Sequence, residues 1–154
     1  MSGRVKITIV GSGYVGMSMA VLLAQQNDVV VLEINPERVN QVNRLESTVA
    51  DPDIELFLRE KNLTVTATMD PNFAYAKSNV VLVATPTDYD ADSNKFNTRS
   101  VDKVVDEGLS LTKDALIVIR STVPVGHTLS LQVSHKTDRI IFSPEFLREG
   151  QALK

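Results

Sequence analysis

Gly11, Gly13 and Gly16 stand at G-x-G-x-x-G spacing between the β-branched run "RVKITIV" (4–10) and a stretch of helical periodicity. At a strand–helix junction, the first glycine allows a tight turn and the second clears a side chain from the path of an anion. The third lets the helix pack close to the sheet. The free N–H groups of the segment Gly11-Ser12-Gly13-Tyr14-Val15-Gly16, backed by the helix dipole, then favour a diphosphate. Glu33 closes the next predicted strand about 20 residues on, the distance at which a dinucleotide fold places its ribose-binding acid. Its carboxylate can accept from both ribose hydroxyls and repels a 2′-phosphate, so NAD is expected rather than NADP. Arg38, five residues later, keeps NADP from being excluded. The glycine spacing alone describes many ordinary turns; the preceding strand, the position in the first βαβ unit and Glu33 favour the nucleotide clamp.

Three further segments end apolar runs and carry both proline and polar side chains: "ATPTD" (84–88), "RSTVPVG" (120–126) and "SPEFLREG" (143–150). Each alone reads as a rigid turn, with proline fixing φ and Ser or Thr capping a helix. In an open α/β sheet, however, all three fall on the carboxyl edge where ligands bind. Thr85 and Thr87 then offer hydroxyls near the cofactor's ribose and phosphates. Thr122 can hold a water or a developing alkoxide, and Glu145 or Glu149 can act as a general base. His127 and His135 receive no role. Asp51, Asp53 and Glu55 have no Cys or His partner at metal-ligand spacing and read as helix caps, so no metal is expected.

Positioning these residues requires alternating strands and helices. Strands are expected at 4–10, 29–33, 63–68, 79–85, 115–122 and 139–143. Helices are expected over 14–26, after the Asn35-Pro36 and Asp70-Pro71 caps, around "DPDIELFLRE", and over 99–111. "PTDYDADSNKFN" reads as a polar loop. The alternation predicts an α/β fold, a doubly wound parallel sheet of the Rossmann type forming one domain over residues 1–154. A chain of 154 residues with 43% hydrophobic and 23% charged residues suits one soluble domain. Its formal charge of −3 argues against a nucleic-acid partner. No apolar run approaches the roughly 20 residues of a membrane span, and a signal peptide is not evident, so a cytoplasmic location is expected. Cysteine is absent, which removes disulfides, thiolate metal sites and a cysteine nucleophile from these residues.

The segments "VGSGYVGMSMAVLLAQ", "ATPTDYD" with "FNTRSVD", "STVPVGHT" and "FSPEFLREGQAL" resemble, in order and along nearly the whole chain, the N-terminal domain of the UDP-glucose/GDP-mannose dehydrogenase family. The "TPTDYD…FNT" wording favours the family's UDP-glucose branch over its amino-sugar and mannose branches. The resemblance implies that Gly11 to Gly16 bind the pyrophosphate of NAD, that Glu33 and Arg38 hold the adenosine end, and that Thr87 and Ser121 flank the nicotinamide. It further implies that Thr122 positions a catalytic water and that Glu145 serves acid–base steps. Phe146, Leu147 and Arg148 would run along a UDP-sugar, with Glu149 near both sugar and nicotinamide. Relatives more often carry aspartate where Glu33 stands.

Members of the family oxidise the sugar C6 alcohol to a carboxylate in two hydride transfers to NAD, through a cysteine-bound intermediate. That cysteine, an active-site lysine and asparagine, and most of the uridine site belong to later regions. The resemblance therefore implies an NAD-binding domain, expected as a monomer, that does not complete the reaction alone. A separate chain supplying the remaining half is a possible partner. The alternatives are a stand-alone nucleotide-sensing or partner-binding module, or another nucleotide-sugar dehydrogenase acting on GDP-mannose or a UDP-amino-sugar. Another hydroxyacid or hydroxyacyl dehydrogenase explains the glycines but not "PEFLREG" and ranks last.

Overall fold

The computed structural model describes residues 3–154. Eight strands and six helices follow in the order β1 (Lys6–Val10), α1 (Tyr14–Leu23), β2 (Asp28–Leu32), α2 (Pro36–Asn43), α3 (Pro52–Glu60), β3 (Val65–Thr68), α4 (Pro71–Tyr75), β4 (Val80–Val83), β5 (Tyr89–Asp90), β6 (Lys95–Phe96), α5 (Arg99–Leu111), β7 (Leu116–Ile119), α6 (His127–His135) and β8 (Ile140–Phe142). Six strands form one sheet in the order β3-β2-β1-β4-β7-β8, and every pairing is parallel.

The strands form where β-branched residues run consecutively, because both faces of a parallel sheet are covered. Along β1, Ile7 and Ile9 pack with Met17, Ala20 and Val21 of α1 and with Ile54 and Leu58 of α3. Val10 faces the opposite layer, where Tyr75 of α4, Val101, Val104 and Val105 of α5, and Leu131 of α6 lie against Val81, Ile117 and Ile119. The first three helices thus cover one face and the last three the other. The winding reverses between β1 and β4, which opens a crevice at their carboxyl ends, the place where such sheets bind ligands.

Three helices begin as the sequence predicts. The side chains of Asn35, Asp51 and Asp70 accept backbone N–H groups of α2, α3 and α4, with proline at the first helical turn in each.

Other expectations are corrected. Helix α1 stops at Leu23 rather than Gln26, because Gln26 and Asn27 turn back to donate to the Leu23 carbonyl. Strands β1 and β3 are shorter than expected at their amino ends and β4, β7 and β8 at both ends, while β2 keeps its length and starts one residue earlier. The supposed polar loop contains a hairpin: β5 and β6 pair antiparallel, and the Tyr89 and Phe96 rings meet edge-on at 5.2 Å. Helix α6 has no counterpart in the sequence reading. Its Leu129, Leu131 and Val133 alternate at a period of two, and only Leu131 reaches the core. Among the described residues, no helix is long and apolar enough to cross a membrane.

Candidate functional site

Gly11 sits at the reversal point. Its φ is +103°, and a Cβ there would lie 2.5 Å from the Ala84 carbonyl oxygen at the end of β4. The chain turns sharply and enters α1, whose first helical bond runs from the Met17 N–H to the Gly13 carbonyl at 2.9 Å. The preceding N–H groups of Tyr14, Val15 and Gly16 precede that bond, and no side chain among the described residues caps the helix. Gly16 packs so closely that a Cβ would stand 2.0 Å from the Gly11 carbonyl oxygen, whereas a Cβ on Gly13 would meet nothing within 4 Å. An uncapped helix start beside an open glycine fits a diphosphate.

A cleft of about 470 Å³ opens from this turn. Gly13, Tyr14 and Val15 form one wall; Ala84 to Thr87 and Arg120 to Thr122 form the floor; Glu145, Leu147 and Glu149 form the far wall. Three segments separated by dozens of residues therefore meet as the sequence predicts. Thr85, Thr87, Thr122, Glu145 and Glu149 all reach the cleft, and Thr85 Oγ1 is buried without a hydrogen-bond partner among the described residues. Phe146 and Arg148 do not line it; both are exposed, Phe146 at 90%.

Two of the expected ligand groups have internal duties. The Ser121 hydroxyl is buried and donates to the Thr85 carbonyl at 2.6 Å, tying the ends of β4 and β7 together. Ser12 is buried too, and both its N–H and its hydroxyl donate to Glu33 Oε2.

Glu33, only 7% exposed, accepts on its other oxygen from the Ile34 N–H at 2.8 Å and the Asn35 N–H at 3.1 Å. A carboxylate has about four lone-pair positions, so all are in use. A ribose diol approaching Glu33 thus meets a saturated acceptor, and the Ser12 hydroxyl is the one donor able to rotate away. Arg38 stands 4.0 Å from the same Oε2 and offers positive charge beside it.

Burial pushes the Glu33 carboxyl upward, but the bonds from Ser12, Asn35 and Ile34 together outweigh it and hold the pKa below its ordinary 4.5. A carboxyl with a lowered folded-state pKa stabilises the protein above the unfolded-state value and loses that contribution as pH falls through the folded-state value. Glu33→Gln is therefore expected to cost stability at neutral pH, with the gap to wild type narrowing once pH drops below 4.5. Urea unfolding at neutral pH and at about pH 3 measures both limbs; a gap independent of pH refutes the assignment.

Arg120 is a residue the sequence reading passed over. Its guanidinium bonds Glu145 Oε2 and donates to Ser143 Oγ at 2.7 Å, while the Leu147 N–H donates to Glu145 Oε1 at 2.7 Å. The carboxylate is thereby fixed in orientation, with a lone pair on each oxygen left for a substrate. A bond spanning 25 residues has no local signature; only the adjacency of β7 and β8 discloses it.

Residues 5–154 match the family model of the UDP-glucose/GDP-mannose dehydrogenase family, NAD binding domain. The chain belongs to this family. It is 45% identical over 148 residues to a UDP-glucose 6-dehydrogenase of Streptococcus pneumoniae, covering 96% of this chain and 38% of the relative. A UDP-glucose 6-dehydrogenase of Campylobacter jejuni is 39% identical over the same share of each chain. The chain thus spans about two-fifths of the length of these curated relatives.

Among solved structures, a UDP-glucose dehydrogenase from Pyrobaculum islandicum superposes with a TM-score of 0.79 at 26% identity, covering 99% of this chain and 38% of that one. A GDP-mannose dehydrogenase from Pseudomonas aeruginosa gives 0.81 at 24% identity, covering 96% and 37%, and supports the fold. The family is one of NAD-binding domains, and the open space over Gly13 at the β1–β4 reversal has room for the diphosphate of such a cofactor.

Proposed function

We propose that this chain is the cofactor-holding part of a UDP-glucose 6-dehydrogenase. The observation that carries the reading is the convergence of the Gly13–Val15 turn, the Thr85–Thr87 and Ser121–Thr122 strand ends, and Glu145 with Glu149 around one cleft. NAD, when bound, supplies the hydride acceptor. The N–H groups at the start of α1 hold its diphosphate, Glu33 and Arg38 the adenosine ribose, and Thr85 and Thr87 the inner ribose and phosphates. Ser121 shapes the nicotinamide side through its bond to Thr85. Thr122 orients a water or the reacting alcohol. Glu145, steadied by Arg120, accepts the alcohol proton as hydride leaves the carbon. Glu149 borders sugar and nicotinamide, and Leu147 gives the sugar an apolar wall. Phe146 and Arg148, exposed and outside the cleft lining, are given no contact with the sugar in this reading.

The acid-forming second oxidation in this family proceeds through a cysteine thiolate, and none of the 154 residues is a cysteine. The chain alone therefore binds NAD without producing glucuronate; adding the remainder of a relative in trans completes the reaction. The setting that suits such a reaction is the cytoplasm.

Calorimetric titration tests the cofactor assignment. Saturable binding of NAD is expected, with NADP about tenfold weaker because the buried Glu33 carboxylate opposes a 2′-phosphate. Absence of NAD binding at millimolar concentration refutes the reading. Steady NADH formation from UDP-glucose by the purified chain refutes its incompleteness.

A further inference from the structure

We propose that Asp51 is a positioning residue, a latch that holds the far wall of the cleft against the glycine turn. The proposal rests on the reading of the cleft as the NAD site. After β8, at the outer edge of the sheet, the chain runs back along the carboxyl ends of the strands. Ser143, Glu145 and Leu147 are half-buried while Pro144, Phe146 and Arg148 are exposed, the alternation of an extended strap with one face down. The near end is held by the Ser143 N–H bond to the Ile119 carbonyl at 3.0 Å and by Arg120.

The far end is held by Asp51. The Ala152 N–H donates to Asp51 Oδ2 at 2.9 Å, across 101 residues. Ala152 and Leu153 pack against the apolar layer that contains Met17, Ile54 and Leu58. Gly150, with φ of +76°, makes the bend between strap and anchor. The ion pair of Lys154 with Asp53, at 3.9 Å and exposed, adds little.

Asp51 differs from the two other Asx caps. Asn35 and Asp70 are exposed and serve only their own helices. Asp51 is fully buried; Oδ1 accepts from the Asp53 and Ile54 N–H groups to cap α3, and Oδ2 faces the strap. The segment leading into this cap also touches the other wall, through the Thr48 hydroxyl, which donates to the Ser12 carbonyl at 2.5 Å. One short stretch, 48–51, therefore joins the glycine turn to the strap bearing Leu147 and Glu149. A wall already fixed in place need not be ordered when a ligand arrives, and this preorganisation favours binding.

Asp51→Asn separates the two duties. Asparagine caps a helix as well as aspartate, but its amide NH₂ would face the Ala152 N–H, donor against donor. Ala152→Pro removes the same bond from the other side and leaves the cap untouched. In either variant the NAD dissociation constant is expected to rise about tenfold, and the double variant adds no further loss. In Asp51→Asn, hydrogen exchange at the Ala152 amide accelerates about tenfold or more while the Ile54 amide keeps its protection.

A purely structural role would lower the melting temperature and leave the dissociation constant unchanged; that result in both single variants overturns the proposal. If the wild-type chain fails to bind NAD, the cofactor reading falls instead. The latch is then judged by exchange alone, and unaltered protection at Ala152 in Asp51→Asn overturns it.

Discussion

Gly13→Ala is expected to remove NAD binding from a chain that remains folded, whereas Gly16→Ala damages both. Gly13 has φ of −76°, which alanine adopts freely, and its Cβ would meet nothing within 4 Å. Unfolding free energy should stay within about 0.5 kcal/mol of wild type. The added methyl group occupies the space over which a diphosphate must lie, so calorimetry should register at least about a tenfold loss of NAD affinity. At Gly16, the added Cβ would stand 2.0 Å from the Gly11 carbonyl oxygen and 2.9 Å from its carbon. Both are backbone atoms of a turn wedged against Ala84, so α1 must move off the sheet. Overpacking of this kind costs about 3 kcal/mol, read as a lowered urea midpoint alongside lost binding. Wild-type affinity in Gly13→Ala would mean that the diphosphate does not cross that residue.

The features that sequence discloses are those encoded within a few residues. The Asx-Pro starts of α2, α3 and α4 and the glycine turn into α1 each depend on neighbours in the chain, and each forms as expected. The β-branched runs place the strands and the alternation of elements gives their order, because burial on both faces leaves little choice of residue type. What stays hidden is long-range or weakly patterned. Helix α6 carries apolar residues on its exposed side, Leu129 and Val133, so its helical period is masked. The β5–β6 hairpin lies within a polar run and is held by one aromatic pair together with short-range polar bonds such as Tyr89 to Asn94. Asp51 reads correctly as a cap, yet its second oxygen acts across 101 residues. Ser12 and Ser121 lie in segments expected to meet a ligand and turn out to brace Glu33 and Thr85. The cleft's outline was thus legible, while the bonds that stiffen it were not.

Arg120 shows what such stiffening is worth. Its side chain and that of Glu145 are 16% and 18% exposed, between a surface pair and a fully buried one. Breaking a buried pair from one side costs about 3–5 kcal/mol, and an exposed pair contributes about 0–1 kcal/mol. Arg120→Met, which keeps the apolar stem, should therefore lose about 2 kcal/mol in urea unfolding. Much of that loss comes from a carboxylate left at the cleft wall with only the Leu147 N–H to accept from. Arg120→Lys keeps the charge but cannot reach Glu145 and Ser143 together, and should lose about half as much. Glu145→Gln removes the stranded charge, so in the double variant with Arg120→Met the two losses should not add. A coupling of about 1 kcal/mol is expected from the complete cycle. Additive losses would mean that the guanidinium and the carboxylate act independently, and Glu145 would then owe its orientation to the strap backbone alone.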